Sequence, residues 1–322
     1  MKGRRLAQLL LAAVVTLVAG GLVVSSLSFT DLKKLAAGFD RGLLALGFLM
    51  YLAANLLRAV RFRLLLGGSA KTGAFFRIVV VQNFMNTFLP LRAGEISYFY
   101  MVHRIGGITP GKNLGSLLAA RALDFLAALI IPVAAAPLVR GLPVPGRPIV
   151  WVVAFTILLI VGFAMVLKHA AMLADQVTKR FTSRRPLAVR VGTLAADTLR
   201  ALDQLRDRHV LVPVALLSLG GWLLIYAVGY ALLTGAGMQL PVPDALFAYG
   251  FPTLVSMTPV YMFGGFGLFE GSVGSGLSLV GVPLGTALAV GLLLHVAELL
   301  FIALPMLALP AFGRRENVTG SP

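Results

Sequence analysis

The sequence predicts an all-α polytopic membrane protein with about six full spans and two re-entrant helical hairpins, eight apolar segments in all, arranged as an inverted repeat. Three observations carry that reading. First, the 322 residues are 58% hydrophobic and only 12% charged, with a mean hydropathy of +0.91; soluble domains hold roughly 45–50% apolar and roughly 25% charged residues. Second, several apolar runs reach about 20 residues, the length that crosses a bilayer. Third, these runs lack strand alternation. Of the two structures that satisfy the backbone in lipid, helices and closed barrels, helices fit.

Composition also narrows the function. There is no cysteine, so a disulfide framework, a thiolate nucleophile and a Cys-based metal site are excluded. The net charge of +16 is read as basic loops facing anionic lipid, not as a nucleic-acid surface. No Walker loop, dinucleotide fingerprint or His-Glu-x-x-His is present. No cofactor is expected.

The segments follow in order. Met1–Arg5 is basic and leads into span one, 6–27, which is longer than a signal-peptide core and lacks a clear cleavage site, so an uncleaved span is expected. Residues 28–42 are polar, with Asp31, Lys33, Lys34 and Asp40, and predict a short interfacial helix. Span two covers 43–60 and ends in the basic group Arg58, Arg61 and Arg63. Residues 74–103 are apolar but broken by Asn83, Asn86, Pro90, Arg92, Gly94 and Glu95, with Arg77 as an interfacial anchor. Span three covers 116–138, a Pro/Gly loop covers 141–148, and span four covers 149–167. Residues 168–208 carry nine Lys/Arg against four Asp; Val189, Leu194, Leu199, Leu202 and Leu205 suit an amphipathic surface helix. Span five covers 210–233. A second broken segment, 245–282, contains Pro252, Pro259 and a glycine cluster. Span six covers 284–309, and a basic tail starts at Arg314.

Orientation follows from the positive-inside rule. All major basic clusters fall on the cytoplasmic side only if 74–103 enters and leaves on that face. No Lys or Arg occurs between His209 and Gly313, which fits an outer entry for the second broken segment. The chain then reads as one transmembrane domain, 1–322, with repeat units 1–140 and 149–312 of opposite orientation and a basic cytoplasmic linker at 168–208. Both termini are expected in the cytoplasm, and the protein in the inner (cytoplasmic) membrane as a multi-pass chain.

The two broken segments hold most of the chemistry-bearing residues. Pro90 and Gly94 free backbone groups that a bilayer tolerates only inside protein or beside a wet cavity. Arg92 and Glu95 are spaced to pair at i,i+3, and an intramembrane arginine needs a partner or a function. The second segment repeats the grammar: Pro259, then Gly264, Gly265 and Gly267, then Glu270. Gly-rich backbone at a broken helix can offer N–H groups to an anionic headgroup, or simply allow close helix packing. Arg121 and Asp124 share a helix face as a salt bridge or as ligands. His295 and Glu298 do the same and suit a proton relay or a polar interhelical contact.

The pattern Asn86-x-x-Leu89-Pro90-x-Arg92-x-Gly94-Glu95 resembles the hallmark of the lysylphosphatidylglycerol synthase/flippase transmembrane-region family. Pro259 followed by Gly264-Gly265-Phe266-Gly267-x-x-Glu270 resembles its second signature. Arg121 and Asp124 match its Glu-Arg-x-x-Asp element, except that Ala120 stands where the family has glutamate. The resemblance covers nearly the whole chain. It implies movement of lipids between leaflets, without the soluble aminoacyl-transfer domain of the fused synthases. The expected function is therefore a flippase or transporter for a phospholipid or polyprenyl-phosphate-type lipid. The alternatives are an integral-membrane lipid-modifying transferase, with Glu95 or Glu270 as general base, and a non-catalytic partner of a cell-envelope lipid pathway. Expected partners are a lipid with an anionic headgroup, anionic lipids at the basic loops, and a second copy of the chain in a homodimer.

Overall fold

The computed structural model describes residues 37–68, 70–89, 93–104, 108–139, 147–181, 186–257 and 263–309. Expected span one, residues 28–36 of the interfacial segment, Pro90, Arg92, Pro259 and the tail from Arg314 lie outside them. Among the described residues the regular structure is helical throughout. The α-helices are α1 (Arg41–Leu65), α2 (Thr72–Phe88), α3 (Ala93–Arg104), α4 (Pro110–Ala135), α5 (Arg147–Phe181), α6 (Pro186–Asp203), α7 (Arg208–Gly235), α8 (Val242–Met257), α9 (Leu268–Leu279) and α10 (Leu284–Ala308).

Among the described residues, five stretches are long and apolar enough to cross a membrane: Arg41–Leu65, Pro110–Leu138, Ala154–Phe181, Arg208–Gly235 and Leu284–Ala308. At ~1.5 Å per residue, 25 residues exceed the ~30 Å hydrocarbon core. Their outer faces are aliphatic, with Leu49, Leu158, Leu216, Leu300 and Leu307 exposed. Lipid contact, not a soluble surface, suits such faces.

Local chemistry sets the helix starts. Asp40 was expected in an interfacial helix; instead it caps α1, accepting from the N–H groups of Gly42 at 2.7 Å and Leu43 at 3.0 Å. An N-cap carboxylate satisfies donors that the helix leaves free. Thr109 caps α4, with Pro110 in the first turn, which places the start of span three ahead of residue 116. α5 stays helical to Phe181, beyond the expected end at 167. α6 then folds back on it through small residues. A Cβ on Gly192 would stand 2.5 Å from that of Phe181, and one on Gly115 would stand 2.6 Å from that of Ala201.

α2 and α3 lie against each other, as do α8 and α9. The contact is backbone to backbone. A Cβ on Gly94 would meet the Gln82 carbonyl oxygen at 2.1 Å, and one on Gly276 would meet that of Ala248 at 2.2 Å. At 12 residues each, α3 and α9 extend only about 18 Å. α1 and α7 run antiparallel: Gly47 faces Leu232, and Leu57 faces Gly220. Around them Tyr51, Trp222, Tyr226, Tyr249 and Phe301 form the larger apolar core, and Phe62, Phe75 and Tyr98 centre a second one.

Candidate functional site: a polar cavity between the helix pairs

A cavity of about 240 Å³ opens where α1, α2, α4, α7, α8 and α10 converge beside the Gly264–Gly265 turn. Of the residues singled out from sequence, Asn86, Arg121, Asp124, Gly264, Gly265, His295 and Glu298 line it. Glu95, Gly267 and Glu270 stand behind this layer, and Arg92 is outside the described residues.

The α4 side departs from the expected pairing. Arg121 does not bridge to Asp124; its Nε lies 3.2 Å from Glu95 Oε1 on α3. Asp124 belongs to Arg61 of α1, which donates to both carboxylate oxygens at 2.5 and 3.0 Å. Trp222 Nε1 donates to Asp124 Oδ1 at 2.8 Å, and Arg61 also donates to Ser218 Oγ at 2.9 Å. Three donors from two helices outcompete a single i,i+3 contact, because charge-assisted bonds strengthen away from water. The expected group Arg58–Arg63 is thereby divided. Arg63 is exposed and donates to Thr72 Oγ1 at 3.1 Å. Arg61 is only 1% exposed, and Arg58 lines the cavity.

The second half has its own carboxylate. Gly264, Gly265 and Gly267 adopt φ of +64°, +75° and +83°, a left-handed region that favours glycine. This turn feeds α9, where Glu270 Oε2 accepts from Gly267 N at 2.7 Å. Glu270 Oε1 lies 2.8 Å from His295 Nδ1, and both side chains are buried. The imidazole is stacked on Phe269, with ring centroids 4.8 Å apart. His295 therefore pairs across helices with Glu270, and Glu298 accepts from Tyr249 Oη. Both residues thus make polar interhelical contacts, one of the two roles their spacing suits: His295 with Glu270 and Glu298 with Tyr249.

α2 contributes amides. Asn83 Nδ2 donates to Asn55 Oδ1 at 2.9 Å. Gln82 Nε2 and Asn86 Oδ1 are buried without a partner. Gln82, Trp222 and Tyr249 escaped the sequence reading, and Arg58 and Arg61 were read only as part of the basic group at the end of span two. A tryptophan within an otherwise aliphatic span was the available signal for Trp222. No group of three His, Asp or Glu able to hold a metal ion occurs among the described residues.

The helices define a multi-pass helical membrane protein in which several ionisable groups converge on one cavity between the helices. The family model for the lysylphosphatidylglycerol synthase TM region matches residues 6–305, and the chain belongs to that family. The family implies a membrane protein of lipid metabolism or lipid flipping. No curated protein and no solved structure matches the chain.

Proposed function

We propose that the protein moves a phospholipid or polyprenyl-phosphate-type lipid between leaflets. The observation that carries this is a polar cavity inside a protein whose outer faces are aliphatic. At about 240 Å³ it falls below the usual ~300–1,000 Å³ of ligand pockets, which suits a headgroup whose chains stay in the bilayer.

In this reading α2–α3 and α8–α9 are re-entrant hairpins from opposite faces, within inverted repeats 1–140 and 149–312. The pairing of charges supports that symmetry. In each half a carboxylate on the second hairpin helix, Glu95 or Glu270, meets a cationic or imidazole side chain on the following span, Arg121 or His295. In each half an acid sits three residues further along that span, Asp124 or Glu298. The antiparallel contact of α1 with α7 is the contact expected between equivalent helices. Arg92 and the Gly264–Gly267 backbone hold the headgroup phosphate, and Glu95, Glu270 and Glu298 balance charge, bind a cationic headgroup or take a coupling proton. One repeat rocks against the other to alternate access. The basic clusters, including 168–208, face anionic lipid on the cytoplasmic side of the inner membrane.

The test is translocation of headgroup-labelled lipid in vesicles, read by a quencher that reaches only the outer leaflet. Wild-type protein should expose inner-leaflet label, and folded Arg92→Ala should leave it protected. Unchanged transport in Arg92→Ala would remove that residue from the mechanism. No transport by wild type, together with a new lipid product, would replace the proposal with a transferase.

A further inference from the structure

Arg58 is a cavity-lining cation with no ion-pair partner among the described residues. It lies on the C-terminal half of α1 and lines the cavity. Its two neighbours are occupied: Arg61 by Asp124 and Ser218, Arg121 by Glu95. Arg58 has no ion-pair partner among the described residues. Its printed hydrogen bond is a long one, 3.4 Å from Nη1 to Asn55 Oδ1. A guanidinium offers five donors in a fork that fits phosphate, so most of its capacity is open. Arg58, Arg61 and Arg121 all line the cavity, and the carboxylates nearest the last two, Asp124 and Glu95, are already engaged by them. A positive charge in a low-dielectric core is costly without an anion.

The seat of Arg58 is built. Its guanidinium carbon stands 5.2 Å from the centroid of the Trp222 ring, a cation–π contact that holds the plane and leaves edge N–H groups for a ligand. Trp222 is itself pinned through Nε1 to Asp124, which Arg61 clamps. The buried pair thus fixes the floor under Arg58.

A second donor lines the same cavity. Gln82 is 4% exposed, lines the cavity, and has no partner for Nε2. Its neighbour Asn83 donates to the same Asn55 oxygen that Arg58 reaches. Asn83 and the guanidinium therefore meet over a single acceptor. An unpartnered buried amide is unfavourable, and an anion bridging the two groups would satisfy it.

We infer that Arg58 and Gln82, above the Trp222 ring, form an oxyanion subsite for the phosphate of a lipid headgroup. The lipid source rests on the translocation proposal; the oxyanion chemistry does not.

Trp222 is a built-in reporter, because the chain has only one other tryptophan, Trp151. Full-length Trp151→Phe protein in an uncharged maltoside detergent is titrated while Trp222 fluorescence is recorded. The probes are dioctanoyl phosphatidylglycerol, dioctanoylglycerol (the same chains without phosphate) and glycerol 3-phosphate (phosphate without chains). Phosphatidylglycerol should give a saturable change and dioctanoylglycerol none. Arg58→Gln and Gln82→Met should each weaken the response at least tenfold. Gln82→Met should melt no lower than its parent, since the donor it removes has no partner; that separates lost binding from misfolding. Equal saturation by glycerol 3-phosphate would support the subsite, place its ligand in solution and count against the lipid reading. An equal response to dioctanoylglycerol, or parental binding in both variants, would overturn the subsite even where vesicle translocation is intact.

Discussion

Asp124→Ala should lower stability by roughly 3–5 kcal/mol, the loss associated with breaking one side of a buried ion pair. The variant strands Arg61, 1% exposed, with Ser218 as its remaining partner, and frees Trp222 Nε1. Arg61→Ala should cost a similar amount, because Asp124 then keeps only the tryptophan donor in a dry core. The double variant Arg61→Met, Asp124→Leu should recover much of the loss, since apolar side chains of similar volume need no solvation. Thermal unfolding in detergent reads all three. The key outcome is recovery: the apolar double variant must be more stable than either single variant. A double variant less stable than both would mean that the two residues do not act as a pair. The same variants should blunt lipid binding, because Trp222 would lose its fixed orientation beneath Arg58.

The second large effect is steric. Gly94→Val and Gly276→Val should each cost about 3 kcal/mol, the upper end for overpacking. In both positions the new Cβ would meet a backbone carbonyl oxygen, at 2.1 Å on Gln82 and 2.2 Å on Ala248. A carbonyl within a helix cannot rotate away as a side-chain tip can, so the helix pair must separate. Gly73→Ala and Gly271→Ala are controls in or beside the same elements, with nothing within 4 Å of the added carbon. They should be neutral or stabilising, by up to about 1 kcal/mol, from reduced backbone freedom in the unfolded chain. Size-exclusion profiles and melting temperatures distinguish the sets. If all four variants melt alike, close backbone approach is not what holds the two pairs together.

The helical membrane class was legible in the sequence because it depends on composition and run length, quantities that need no partner. The breaks after Phe88 and Met257 were also legible, since proline and a glycine cluster interrupt a helix wherever it sits. So was the identity of many cavity-lining groups: an ionisable side chain in an apolar run has few places to go but inward. Element ends were less legible. Asp40 reads as part of a polar segment until its carboxylate is seen on the first turn of α1, and span two ends later than its apolar run does. That extension is why Arg58 and Arg61, which read as part of a cytoplasmic basic cluster, lie on faces turned toward α4 and α7.

Pairing was decided by the tertiary structure. Helical spacing places Arg121 with Asp124 and His295 with Glu298, and on an isolated helix those contacts would form. In the folded chain α1, α3, α8 and α9 bring Arg61, Glu95, Tyr249 and Glu270 against the same spans, and each residue takes the cross-helix partner. A sequence determines which side chains share a face of one helix. It does not determine which helix that face meets, because that depends on the small residues, such as Gly94 and Gly276, that let particular backbones touch. By itself, then, this sequence determined a polytopic helical protein with broken helices and buried charge. Only the packing decided which charges neutralise each other and that Arg58 has no ion-pair partner among the described residues.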